Sequence, residues 1–333
     1  MSITKKPDPS SVKKILVIQL GPFGDVFLTT SYFEHLKKHF HKAQLSYMTK
    51  KKYKIIVENH PYIDNYILLK EEQGMNYYLE RLRKIKEIRA ENFDIVIDQQ
   101  NKNSTRLFTL FSGAKWKVGY EDARCSWVYN VKAKRGPEIY NPYKRFDMIK
   151  PLGIEPDSYQ LYYSVSRDSE NYIKKWLSEK QIGKFFVLSP GSPIEWKKWN
   201  IKNYARLADL IVRNYELTPI WLWGPDEKKD AETGAKLMEE DSFVAPPTTL
   251  NQAAALLKRA ELFICNDGGI NHLAVTTGVK TIALFGATDP HVWSPASEFE
   301  NHHHMYNPKH NSKEDNSFGY TPEEVLKQVK NIL

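Results

Sequence analysis

Cysteine is almost missing from this chain: two residues in 333, Cys125 and Cys265. That excludes a disulfide framework and a cysteine-based zinc site. Apolar runs are short, and none approaches the ~18–20 residues that span a bilayer, so no transmembrane helix is predicted. The segment from Met1 to Lys14 has two prolines and no apolar stretch, and it reads as a loose polar tail instead of a signal peptide. Two signatures are also missing: the chain has neither a G-x-G-x-x-G turn nor a Gly-Lys-Ser/Thr phosphate loop after its first strand, which argues against a dinucleotide enzyme or an NTPase.

What is present is a large apolar complement, 41% hydrophobic with 8 Trp, 19 Tyr and 15 Phe. Such a composition excludes a disordered chain, and the length predicts two domains. The expectation is a soluble, cytoplasmic protein. Lys and Arg number 48 against 40 Asp and Glu, a formal charge of +8. The excess is one-sided. Residues 1–165 carry 28 cations and 18 carboxylates, whereas residues 166–333 carry 20 and 22. A basic half points to an anionic partner or to a solvated lysine-rich surface.

Apolar, β-branched runs alternate with helical patterns through both halves. Ile15–Leu20, Leu45–Met48, Tyr66–Leu69 and Phe93–Asp98 read as buried strands, with helices predicted over Val26–Phe40, Tyr53–Asn59 and Met75–Glu91. In the second half, strands are predicted at Phe185–Ser189, Pro219–Trp223, Leu262–Cys265 and Thr281–Phe285. Helices there are expected over Ser169–Lys180, Ile201–Asn214, Asp230–Glu240, Leu250–Ala260 and Pro322–Leu333, with Thr249 and Thr321 as N-caps. The alternation predicts two parallel α/β domains joined between Asp157 and Ser169. Ligands of such sheets bind beyond the carboxyl ends of strands.

Several of those ends hold candidate chemistry. Gly21-Pro22-Phe23-Gly24-Asp25 follows the first strand, and Asp25 is placed to act as a general base or only to complement a helix dipole. Pro190-Gly191-Ser192 leads to Trp196-Lys197-Lys198-Trp199, cations suited to a phosphate, with Trp199 the better candidate for plain packing. Cys265-Asn266-Asp267-Gly268-Gly269-Ile270-Asn271-His272 joins a strand to a helix beginning near Ile270. Its amides suit an anion, Asp267 suits sugar hydroxyls or a helix cap, and His272 reads as a packed helix residue. Gly286 to Pro290 forms a companion loop. His302-His303-His304 with His310 reads as a polar surface loop, because adjacent histidines do not converge on one metal ion. The cations at Lys50–Lys52, Lys54, Arg81, Arg83, Lys84 and Lys86 read as solvated faces, with a subset available to an anionic acceptor.

Together, Gly24-Asp25-Val26, Ser189-Pro190-Gly191-Ser192 with Lys197-Lys198-Trp199, Asp267-Gly268-Gly269 through Ala274, Leu284 to Pro290 and Thr321 to Val325 resemble the ADP-heptose:lipopolysaccharide heptosyltransferases, glycosyltransferase family 9. The resemblance implies a GT-B fold, two Rossmann-like α/β domains facing across a cleft. Residues 1–165 would bind the acceptor, residues 166–320 the nucleotide-sugar donor, and residues 321–333 would form a terminal helix. It implies an inverting, metal-independent transfer from an ADP-sugar to an anionic lipopolysaccharide core or lipid A acceptor at the inner-membrane surface, with no cofactor. Asp25 then matches the general base and Lys197 the lysine on the donor diphosphate. Gly24, Ser189, Ser192, Lys198, Glu227, Thr248, Asp267, Gly268, Gly269 and His272 fall on the donor-binding pattern, with Glu227 near the ribose and Thr248 near the adenine. Two other readings stay open: a transferase for a different nucleotide-sugar, and a non-catalytic nucleotide-sugar-binding protein. A nucleic-acid partner is not expected, since no recognition helix or aromatic platform accompanies the basic half.

Overall fold

The computed structural model describes residues 6–310 and 312–333. The chain divides into two compact units, Met1–Tyr163 and Ser164–Leu333. In the first unit the strands are β1 (Lys14–Ile18), β2 (Gln44–Lys50), β3 (Asn65–Leu69), β4 (Ile95–Asp98), β5 (Trp116–Tyr120) and β6 (Val131–Ala133). Its helices are α1 (Phe23–Leu28), α2 (Phe33–His39), α3 (Lys54–Val57), α4 (Gly74–Ala90), α5 (Asn103–Phe111) and α6 (Asn141–Arg145). The second unit runs α7 (Arg167–Glu179), β7 (Phe185–Ser189), α8 (Ile201–Tyr215), β8 (Thr218–Trp221), α9 (Lys228–Leu237) and β9 (Phe243–Val244). It continues with α10 (Leu250–Leu257), β10 (Leu262–Asn266), α11 (Gly269–Val275), β11 (Thr281–Leu284), α12 (Pro290–Trp293), β12 (His302–Met305) and α13 (Pro322–Ile332).

Each unit holds one six-stranded sheet, in the orders β3-β2-β1-β4-β5-β6 and β12-β11-β10-β7-β8-β9. The ladders are parallel. These are the same order read from opposite edges, and it is the doubly wound order in which ligands bind where the chain reverses direction across the sheet. In the first sheet that point lies between β1 and β4, and in the second between β7 and β10.

The strands read as apolar runs because both faces of each sheet are covered. Along β7, Phe186 and Leu188 join one core with Trp199, Tyr204 and Trp221, while Phe185 and Val187 join another with Ile220, Phe263 and Cys265. Cys265 is fully buried there, and burial pushes its thiol up, so it packs as a small hydrophobe. In the first unit Leu16, Ile18, Val96 and Phe108 share a core with Ile88 of α4. Thr249 and Thr321 cap α10 and α13, each in a reciprocal capping box with Gln252 and Glu324. Among the described residues no helix is long and apolar enough to cross a membrane.

Three expectations are corrected. The predicted helix over Val26–Phe40 is α1, a 3₁₀ turn at Thr29–Tyr32 and α2. Thr29 and Thr30 hydroxyls donate back to the carbonyls of Asp25 (2.7 Å) and Phe27 (2.8 Å), which competes with the regular helical ladder. The tail before β1 is anchored as far as it is described: Val12 is buried and the Lys13 amide donates to the Asp94 carboxylate at 2.7 Å. Met1 to Lys5 lie outside the described residues. His302–His304 are not a surface loop but strand β12, paired in parallel with β11. The open edge of β11 supplies backbone partners, and Phe299 and Phe285 pack against the His302 and His304 rings. Burial lowers the His302 imidazole to about 4.

Candidate active site

The chain turn after β1 is held by side chains. The Gly21 amide donates to Gln19 Oε1 (3.0 Å), and the Leu20 amide donates to Gln100 Oε1 (2.7 Å), which ties the ends of β1 and β4 together. Pro22 then caps α1, and Gly24 and Asp25 stand in its first turn. Asp25 is not a lone carboxylate. The Arg145 guanidinium of α6 is ion-paired with it, and Arg145 Nε donates to the buried Asn141 side chain at 2.8 Å. A fork fixed at one nitrogen by Asn141 orients the carboxylate with the other. Sequence reasoning missed Arg145, which lies 120 residues away in a segment with no motif.

Beside this turn, Asp98 ends β4 fully buried. It accepts from the Tyr129 hydroxyl (2.7 Å) and the Asn101 amide (2.9 Å). Burial nevertheless raises its carboxyl to about 6, with those hydrogen bonds opposing the shift.

In the second unit, the loops after β7 and β10 meet. Lys197, on a 3₁₀ turn at Glu195–Lys197, reaches the Asp267 carboxylate with Nζ 2.5 Å from Oδ2. The turn is fixed by Asn266, the last residue of β10. Asn266 Oδ1 accepts from the Trp199 amide (3.0 Å) and the Tyr204 hydroxyl (3.1 Å), while Nδ2 donates to the Pro190 carbonyl (2.7 Å). Trp199 is core, as expected, and Trp196 lies under the cations of Lys197 and Lys313, 5.5 and 5.0 Å from its centroid. Asp267 does not cap α11: Gly268 is the N-cap and no side chain accepts there. Gly268 is extended and a Cβ on it would meet nothing closer than 3.9 Å, so neither backbone strain nor internal packing demands glycine at this position. Gly191 differs, because a Cβ there would run into the Glu227 side chain.

Glu227 stands at the start of α9 and accepts from the Gly224 amide at 3.0 Å. Burial raises its carboxyl from the ordinary value. Ser189, the last residue of β7, and Ser192, in the loop after it, are both buried, and Ser192 Oγ accepts from the Ile194 amide at 3.2 Å. Lys198 points elsewhere than Lys197, toward Glu195 (2.8 Å) and Asp230 (3.0 Å). Thr248 is half-buried in the loop before α10. His272 is buried in α11 with its ring 6.4 Å from that of Trp293, the packed position expected of it. Its neighbour Asn271 was not anticipated: it is fully buried, and neither side-chain amide atom has a hydrogen-bond partner among the described residues. The second unit thus carries Lys197, Asp267, Gly268, Gly269, Glu227, Ser189 and Ser192 at or just beyond the carboxyl ends of β7, β8 and β10. Gly24 belongs to α1 of the first unit. No group of three or more His, Cys, Asp or Glu side chains able to hold a metal occurs among the described residues.

The chain is similar to known proteins along most of its length. The chain is 21% identical over 299 residues to the lipopolysaccharide core heptosyltransferase OpsX of Haemophilus influenzae, covering 87% of this chain and 83% of the relative. The crystal structure of a family 9 glycosyltransferase from Veillonella parvula matches with a TM-score of 0.84 at 21% identity over 98% of both chains. The E. coli heptosyltransferase WaaC with ADP matches at 0.76 and 19% identity, over 96% of this chain and 100% of that one. Likeness along nearly the whole length shows the GT-B fold. The model for glycosyltransferase family 9 (heptosyltransferase) matches residues 81–320, so this chain belongs to that family and is a glycosyltransferase.

Proposed function

We propose that the chain moves a heptose from ADP-heptose to a lipopolysaccharide core acceptor with inversion and without a metal. The donor belongs to the second unit and the acceptor to the first. The observation that carries this reading is Lys197 held on Asp267 at the reversal point of the second sheet, beside a glycine that the protein itself does not require. Family membership, the Haemophilus relative's naming for the lipopolysaccharide core and the ADP in the E. coli structure support the substrates.

In the reaction a bond forms between an acceptor hydroxyl oxygen and the anomeric carbon as the bond from that carbon to the diphosphate oxygen breaks. Asp25, oriented by Arg145, takes the hydroxyl proton, an effect typically of ~10²–10⁴-fold. ADP leaves with the electron pair. Lys197 leaves Asp267 for the diphosphate and meets the charge growing there, and the amides of Gly268 and Gly269 add to that stabilisation. Asp267 turns to the sugar hydroxyls, and Glu227 holds the ribose. Ser189, Ser192, Lys198, Thr248 and His272 shape the donor pocket around these contacts. The enzyme works at the cytoplasmic face of the membrane, its basic first unit drawn to an anionic acceptor surface, and it takes no nucleic acid.

The test is incubation with ADP-heptose and a heptose-deficient core, with and without EDTA. The reading predicts a mass gain of one heptosyl residue that EDTA leaves intact. Stabilisation by UDP or GDP instead of ADP in a thermal shift would replace the donor.

A further inference from the structure

Helix α4 is patterned inside out along its first half. Its inward stripe includes Glu80, Lys84 and Ile88, all buried. Glu80 accepts from the Lys70 amide (3.2 Å) and pairs with Arg83 (2.8 Å), and Lys84 pairs with Glu87 (2.7 Å). Apolar residues of the first two turns point outward instead. Met75, Tyr78, Leu79 and Leu82 are 73%, 64%, 54% and 55% exposed. They fall at i, i+3, i+4 and i+7, one continuous stripe on a helix. Scattered exposed apolar residues are ordinary, but a stripe of four on a face a soluble protein normally makes polar is not.

The neighbouring elements extend it. α5 packs against α4 and exposes Leu107 and Phe111, one turn apart. The 3₁₀ turn Ser126–Val128 packs against α5 and presents Trp127, 70% exposed. The surround is basic. Off its inward stripe α4 carries Arg81, Arg83, Lys86 and Arg89, and its two carboxylates, Glu80 and Glu87, are already paired within the helix.

We infer that the outward face of α4, with Leu107, Phe111 and Trp127, is a docking surface for an anionic lipid bilayer. This rests on the proposed membrane-borne acceptor. Apolar side chains that enter the acyl boundary, tyrosine and tryptophan at headgroup depth and a rim of Lys and Arg are the composition that interfacial helices use. A second copy of the chain fits worse. A symmetric dimer through this face would set the excess cations of α4 against their own copies, and like charges across an interface oppose association.

The test is co-sedimentation with phosphatidylcholine vesicles, with and without a minor fraction of phosphatidylglycerol. Wild type should pellet with the anionic vesicles, less so in high salt, with a blue shift in emission that Trp127→Phe diminishes. Leu79→Glu with Leu82→Glu should lower partitioning by about tenfold or more. Because both positions are exposed, ADP binding and the thermal midpoint should hold. Equal pelleting of wild type and the double variant would overturn the inference. So would a wild-type dimer that the double variant dissociates, which would give the face to a second copy. Transfer to a water-soluble core fragment separates the two proposals. Absence of that transfer with vesicle binding intact would sink the heptose reading and leave the surface standing.

Discussion

The two units share one strand order and each places an ion pair by a strand end, yet the pairs are inverted in what they offer. In the first unit the cation is the more enclosed member: the side chain of Arg145 is 13% exposed and that of Asp25 26%. In the second the carboxylate is enclosed, Asp267 at 5% against Lys197 at 19%. A buried partner fixes the outer one and leaves it to meet a ligand. The first unit therefore presents a carboxylate, fit to accept a proton, and the second presents an ammonium, fit to meet a diphosphate. On the proposed function one architecture would serve both tasks, with the residues that carry them beyond the strand ends and not within the sheet.

The largest expected effect follows from the less enclosed carboxylate, Asp25. Asp25→Asn should cut turnover by roughly 10²–10⁴-fold. Steady-state transfer to a core acceptor within a few-fold of wild type would end the base assignment. Next, Lys197→Ala should weaken ADP-heptose binding by roughly 10–100-fold, the scale of a lost charge-assisted contact. Titration calorimetry measures it directly, and unchanged affinity would place the diphosphate elsewhere. Arg145→Lys keeps the charge but loses the fork that spans Asn141 and Asp25, so turnover should fall by about tenfold with KM for the donor unmoved. A variant as active as wild type would show that Arg145 does not orient the base.

A separate effect is on stability and concerns a carboxyl of the first unit. The Asp98 carboxyl, near 6 in the folded protein, binds more protons there than when unfolded. Its contribution is therefore most favourable in acid and is lost as pH rises from about 4 to about 6, on the order of 2–3 kcal/mol. Urea unfolding of Asp98→Asn across that window should lack this part of the decline. A wild-type-like pH slope would assign it to other groups.

Much of this was legible in the sequence. The strands at β1, β7, β10 and β11 announced themselves because sheets covered on both faces need unbroken apolar runs, and the glycine-rich joints after them marked where ligands approach. What hid was long-range or depended on context. Arg145 pairs with Asp25 across 120 positions, and nothing local to it signals that. β12 carries three histidines in place of β-branched residues, and it is a strand because the edge of β11 needed a partner. Lys84 was expected on a solvated face and is buried, because helical periodicity shows which residues share a face, not which face points inward. Asp267 read as a partner for sugar hydroxyls or as a helix cap, and the second of these fails because its carboxylate is paired with Lys197, a contact across 70 positions.

The division of labour between the units is the central claim, and binding separates it from turnover most directly. ADP-heptose should be titrated into wild type, Asp25→Asn and Lys197→Ala side by side. The account predicts that Asp25→Asn binds the donor as wild type does while Lys197→Ala binds it at least tenfold more weakly. Weakened binding in Asp25→Asn together with wild-type affinity in Lys197→Ala would contradict it.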